Sequence, residues 1–178
     1  MSYASGHVGP PQASSRIPNL IVNERERQYE ATVPCLRDRV AMTAAKMVLE
    51  PVFEADFLPC SFGFRPKKSV HQALEEVRNS ANKGALWVLD ADISDCFGSL
   101  SLDAIMAQVA KRVSDRKMLK LIRAWLRVGV LENGVVTDSV TGASQGSPVS
   151  PLLCNIVLHV LDQAWSTMFQ ELGTLVRY

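Results

Sequence analysis

The stretch Trp87–Phe97, WVLDADISDCF, decides how this chain reads. A short apolar run ends on carboxylates and then meets an aromatic. Alternation with a period of two puts Trp87, Leu89 and Ala91 on one face of a strand and Asp90 and Asp92 on the other. A strand that carries acids to its C-terminal end suits a divalent cation, because Mg²⁺ takes a few rigid oxygen ligands. Metal-assisted phosphoryl chemistry places such a ligand beside a substrate pocket. The same acids can instead cap a strand, and this stretch alone leaves both readings open.

The chain has 178 residues, enough for one domain with a sizeable core. With 47% hydrophobic and 21% charged residues it is globular rather than disordered. A net charge of +1 argues neither for nor against nucleic acid, since a basic face can hide in a neutral total. Cys35, Cys60, Cys96 and Cys154 sit singly, with no CxxC pair, and read as reduced core thiols of a cytoplasmic protein. There is no signal peptide and no run of about 18 apolar residues, so no membrane partner is expected. His7, His71 and His159 make no metal-ligand spacing.

Working outward, the Ser-, Gly- and Pro-rich residues 1–22 read as a loosely attached or disordered arm. The charged piece Asn23–Glu30 reads as extended or hairpin. Arg37–Phe57 has the helical period, with Val40, Ala44, Met47 and Val48 on one face and a turn or kink expected at Pro51. Cys60–Lys68 is a loop, after which Ser69 and Gln72 spell a capping box for a helix with Val70, Ala73, Leu74 and Val77 inward. Ser101 and Ser114 open two more helices, the first burying Leu102, Ile105, Met106 and Val109, the second Met118, Leu121, Ile122, Trp125 and Leu126. Asn133-Gly134 signals a hairpin. Ser150 reads as an N-cap with Pro151 at the first helical position, opening a helix over Leu152–Phe169 whose apolar first half predicts deep burial. Leu175–Tyr178 begins a further strand. Helices between non-adjacent strands describe an α+β fold.

Two loops carry further chemistry. In Ala143–Pro151, ASQGSPVSP, Gln145 both donates and accepts, and Gly146 lets a backbone approach a ligand closely. An ordinary turn before a helix explains the same residues. In the loop FGFRPKKS, Arg65, Lys67 and Lys68 precede a helix N-terminus, where basic side chains and free N–H groups attract phosphate. Phe62 and Phe64 can stack or pack there, and a solvated basic loop is the alternative.

The order of these pieces is more specific than any one of them. PCLRDRV, LEPVFEADF, SFGFRPKKSVHQAL, VLDADISDCF, GASQGSPVSPLLCNIVLHVLD and VRY, in that succession from about Val33 to Tyr178, resemble the reverse transcriptases encoded by group II introns. Retron, diversity-generating and CRISPR-associated reverse transcriptases share the palm motifs, but the segment from LRDRV to FGFRP is most like the intron type. The resemblance implies the fingers and partial palm of a right-hand polymerase, helix-rich with a small antiparallel sheet, over residues 23–178. It implies RNA-directed DNA polymerisation by two-metal nucleotidyl transfer, with Mg²⁺ or Mn²⁺, deoxynucleoside triphosphates, an RNA template, a DNA primer and intron RNA as partners.

Residue by residue, Asp92 corresponds to the first catalytic aspartate and Ile93 to the position whose carbonyl helps hold a metal. Phe97 corresponds to the aromatic under the incoming sugar. Gln145 and Gly146 belong to the loop lining the nucleotide pocket, Arg37 and Arg39 to the fingers block that reaches the triphosphate, and Arg65, Lys67 and Lys68 to a loop near the template. Two departures stand out. Tyr29-Glu30-Ala31-Thr32 replaces the usual Arg-Pro-Leu-Gly-like run. The family's Tyr-Ala-Asp-Asp is reached only at Tyr178, so the 178 residues are expected to be inactive alone. A non-catalytic RNA-binding or self-associating remnant of a maturase is the alternative. The apolar faces of Leu152–Phe169 and Leu175–Tyr178, which pack on further strands in that family, predict a homo-oligomer if left open.

Overall fold

A computed structural model describes residues 19–21, 29–31, 34–94, 96–127, 130–132, 135–137 and 147–178, with the backbone alone at 19–21, 29–31, 97–98, 130–132 and 135–137. The order of elements is β1 (Asn19–Ile21), β2 (Tyr29–Ala31), α1 (Leu36–Glu54), α2 (Val70–Asn82), α3 (Cys96–Ser99), α4 (Leu102–Val109), α5 (Arg116–Leu126), β3 (Val130–Glu132), β4 (Val135–Thr137) and α6 (Ser150–Ala164). A π-turn, Trp165–Phe169, and a 3₁₀ turn, Gln170–Leu172, extend α6. The arm expected over residues 1–22 lies outside the described residues except at β1.

The core is helical. Met42, Ala45, Leu49 and Phe53 of α1 meet Ile105, Met106 and Val109 of α4, Ile122, Trp125 and Leu126 of α5, and Leu152, Leu153 and Ile156 of α6. Ile105, Val109, Ile122 and Leu153 are completely buried. Each such side chain contributes roughly 1.5–3 kcal/mol of hydrophobic stabilisation. The faces expected for α4 and α5 and the buried first half of α6 are thus as the sequence predicts.

The small antiparallel sheet is not. In the part described with side chains no residue belongs to a strand, and the fold is helix-rich. The strands form two separate three-residue ribbons, β1 with β2 and β3 with β4, and the hairpin expected at Asn133-Gly134 lies outside the described residues. The strand expected in Trp87–Phe97 is absent: residues 85–93 have no regular secondary structure and no ladder partner among the described residues. Leu86, Trp87, Val88 and Leu89 are all at least 78% exposed. Alternation shows how a strand would orient its side chains, but a strand exists only when a neighbour takes up its N–H and C=O groups.

Local chemistry explains the helix ends. The capping box is complete: Gln72 N donates to Ser69 Oγ at 3.3 Å, and Ser69 N donates to Gln72 Oε1 at 2.9 Å. Asp115, not Ser114, caps α5, its carboxylate accepting from Lys117 N at 2.8 Å. A carboxylate beside the positive end of the helix gains more than a hydroxyl. The cap of α6 is Val149, so Ser150 falls inside the helix and Pro151 one position later than expected. α1 runs through Pro51 to Glu54. Pro51 is exposed, as is Met47, whose carbonyl it leaves without a helical donor, so that loss falls on the solvent side.

Candidate functional site

A buried polar network joins the loop after α1 to Arg177. Arg177 donates from Nε and Nη2 to the two carboxylate oxygens of Asp162, at 2.9 and 2.8 Å. Its Nη1 reaches Asn155 Oδ1 at 2.8 Å and its Nη2 also reaches Ser61 Oγ at 2.7 Å. Asp162 and Ser61 are fully buried. Asn155 donates to the Gly63 carbonyl at 2.9 Å, which ties the loop to α6. The backbone adds Phe62 N to Arg177 O and Arg177 N to Cys60 O, both 2.8 Å. A Cβ on Gly63 would stand 2.8 Å from the Tyr178 carbonyl carbon, so only glycine lets the two segments touch. Tyr178, 69% exposed, is thereby presented from a fixed backbone.

None of Ser61, Asn155, Asp162 and Arg177 was singled out from the sequence. One signal was available: Asp162 is a lone carboxylate in the apolar run IVLHVLDQAW, and a buried acid needs a cation. Burial lowers the His159 pKa, against the opposing charges of Asp162 and Asp56. The His159 ring meets Phe57 edge-on at 5.6 Å, and its Nδ1 has no partner among the described residues.

Arg65 is a structural clamp. Its Nε and Nη2 hold Glu54, with the shortest contact 2.6 Å. Its Nη1 donates to the carbonyls of Leu58 and Ser61 at 2.6 and 2.7 Å, and Nη2 approaches the Phe57 carbonyl at 3.5 Å. The side chain is 5% exposed, so every donor is used inside the protein and none is left for a phosphate. Lys68 lies over the Phe62 ring at 4.9 Å. Phe64 and Lys67 have φ of 54° and 60°, a strained region for such side chains, and both are exposed. Next to this loop is a groove of about 780 Å³ lined by Leu58, Phe62, Lys68, His71, Glu75 and Trp165, among others. It mixes both signs of charge, and Asp92 is not among its lining residues.

Asp92 is exposed in the segment without regular secondary structure between α2 and α3, and Ile93 is 48% exposed. Arg37 and Arg39 are exposed on the first turn of α1, with no ion pair among the described residues. Gln145, Gly146 and the Phe97 side chain lie outside the described residues. No group of three or more His, Cys, Asp or Glu side chains among the described residues is placed to hold a metal. Asp92 offers one carboxylate, so the donor set described does not by itself fit a metal ion.

One element connects these parts. Cys154 of α6 meets Cys96, four residues after Asp92, with their sulfurs 3.2 Å apart. Asn155, the next residue, holds Arg177 and Gly63. Adjacent residues of α6 therefore touch Cys96 of α3, just after the DADI segment, and hold Arg177 of the VRY segment.

The chain belongs to the reverse transcriptase (RNA-dependent DNA polymerase) family, whose pattern matches residues 24–178. It is similar to Protein YkfC of Escherichia coli K12, 35% identical over 135 residues, covering 74% of this chain and 35% of that protein. It is equally similar to the group II intron-encoded protein LtrA of Lactococcus lactis subsp. cremoris, 35% over 131 residues, covering 74% of this chain and 22% of LtrA. Nuclear intron maturase 1, mitochondrial, of Arabidopsis thaliana is 37% identical over 101 residues, covering 57% of this chain and 14% of the maturase. The chain thus spans about a third or less of these relatives. No helix among the described residues is long and apolar enough to cross a membrane.

Proposed function

We propose that this chain forms the fingers and part of the palm of an RNA-directed DNA polymerase of the group II intron type, acting in the cytoplasm on an RNA template, a DNA primer and deoxynucleoside triphosphates. The observation that supports it is the match of the reverse transcriptase family to residues 24–178, with Cys154 and Asn155 of α6 touching Cys96, just after DADI, and Arg177 of VRY. In this reading Asp92 and the Ile93 carbonyl contribute to a Mg²⁺ or Mn²⁺ site completed by carboxylates that are not among the described residues. Such a cation, when bound, supplies charge stabilisation to phosphoryl transfer. Arg37 and Arg39, exposed and without ion pairs among the described residues, attract the triphosphate, and Lys67 and Lys68 the template backbone. Phe97, Gln145 and Gly146 border the nucleotide. Arg65 drops out of the nucleic-acid contacts, because its donors are spent within the fold.

Primer extension on an RNA template with Mg²⁺, by a protein that joins these 178 residues to the carboxylates that complete the site, tests the reading. Extension that Asp92→Ala reduces at least a hundredfold is the expected result, the scale on which a group stabilising the transition state acts. A second reading, a non-catalytic RNA-binding or self-associating maturase remnant, is favoured by the single carboxylate and by the open apolar faces of α1 and α2. RNA binding without extension, in a protein that joins these 178 residues to the carboxylates that complete the site, would select it.

A further inference from the structure

Cys96 opens α3, and Cys154 lies buried in the first half of α6, 58 positions further along the chain. Tertiary packing, not local chain geometry, brings their Sγ atoms to 3.2 Å, and both are free thiols. No other pair of cysteine sulfurs among the described residues is in contact. Cys35 instead faces Asp38, its Sγ 3.1 Å from the carboxylate. A disulfide bond is about 2.0 Å long, so closing the gap takes a movement of roughly 1 Å, within reach of side-chain rotation and a small shift of a four-residue helix.

We propose that Cys96 and Cys154 are an oxidant-responsive dithiol, converted by a peroxide into a disulfide that fastens α3 to α6. Cys96 is the half-buried partner and takes the first attack. Burial, and then the adjacent Cys96 sulfur, push the Cys154 thiol up to about 12, so it keeps its proton while Cys96 reacts. Cys96 gives its proton to solvent, its sulfur attacks one peroxide oxygen, the O–O bond breaks, the departing hydroxide takes up a proton as water, and Cys96 becomes a sulfenic acid. The Cys154 sulfur then attacks the Cys96 sulfur. The S–S bond forms as the S–O bond breaks, and the Cys154 proton leaves with the departing hydroxide as water. In sum the two thiols are oxidised by two electrons and hydrogen peroxide is reduced to two waters. The bond would fix the downstream end of the Asp92 segment to the turn of α6 that holds Arg177. The chemistry itself does not depend on the polymerase reading.

The test treats the reduced 178-residue chain with hydrogen peroxide, counts free thiols after denaturation, and maps cross-linked peptides by mass spectrometry without reduction. The expected result is loss of two of the four thiols, a Cys96–Cys154 cross-linked peptide, and full reversal by dithiothreitol. In Cys154→Ser the sulfenic acid persists and is trapped by dimedone at Cys96. In Cys96→Ser no intramolecular cross-link forms. Four thiols surviving in the wild-type chain, or a cross-link that joins other cysteines or two chains, would overturn the proposal. Should a serine variant fail to fold, the wild-type thiol count and peptide map decide alone.

Discussion

Arg177 is the residue whose removal should cost most. Its fork satisfies both oxygens of a carboxylate that has no access to water, and the same guanidinium holds Asn155 and Ser61. Arg177→Ala would leave Asp162 buried without its cation, a change worth about 3–5 kcal/mol. Asp162→Asn would strand the guanidinium in the same way, and the double variant Arg177→Ala/Asp162→Asn should cost clearly less than the sum of the two single variants. Urea denaturation of the four proteins closes the cycle, and additive effects of the two positions would contradict a coupled pair. Arg177→Lys does not substitute, since an ammonium cannot reach two carboxylate oxygens, an amide and a hydroxyl in one plane. His159 gives a pH signature. Burial lowers its folded pKa below 6.5, with Asp162 and Asp56 opposing and Arg177 and Arg65 adding to the shift. Below that value the unfolded chain takes a proton that the folded chain refuses, so stability should fall as pH drops through about 6.5. His159→Gln should flatten this part of a melting-temperature profile. An equally steep fall in the variant would place its origin elsewhere.

At the scale of elements, what the sequence disclosed was chemistry held within a few residues. The Ser69–Gln72 box, the burial faces of α4 and α5 and the apolar start of α6 each depend on neighbours three or four positions away, and each is present in the fold. What stayed hidden depends on distant partners. α1 carries two apolar stripes at helical spacing. The sequence pointed to Val40, Ala44, Met47 and Val48, but the core takes Met42, Ala45, Leu49 and Phe53 and leaves Val40, Met47 and Val48 63–70% exposed. Periodicity cannot choose between two such stripes; the packing of α4, α5 and α6 does. The same limit turned Trp87–Ile93 into a strand on paper, and it hid the Arg177 network, whose members lie up to 116 positions apart. Two glycines separate local from distant constraint. Gly84 follows α2 at φ +102°, and a Cβ placed there would meet nothing within 4 Å, so Gly84→Ala should cost only the backbone strain, about 1 kcal/mol. Gly63→Ala meets the Tyr178 backbone at 2.8 Å and should cost roughly 1–3 kcal/mol, with the C-terminal residues becoming protease-sensitive. Equal melting temperatures for the two variants would argue against the Gly63–Tyr178 contact.

For the whole molecule the decisive fact is how much apolar surface stays open beside a well-filled core. Leu36, Val40, Met47, Val48 and Val52 form one stripe along the outside of α1. Val70, Leu74 and Val77 form another on α2, and Leu86–Leu89 expose four consecutive apolar side chains. Scattered exposed leucines are ordinary, but contiguous stripes of this kind favour association. The 178-residue chain should therefore self-associate, with a sedimentation coefficient that rises with concentration. Val40→Lys, Met47→Glu and Val48→Lys combined alter only residues that the core does not use. They should give a monomer whose helical signal matches the parent and whose unfolding free energy changes by no more than about 1–2 kcal/mol, the sum expected for three surface positions. A parent chain that remains monomeric at every concentration would refute the prediction. So would a variant that loses its helical signal, because that would place the outer stripe of α1 inside the core after all.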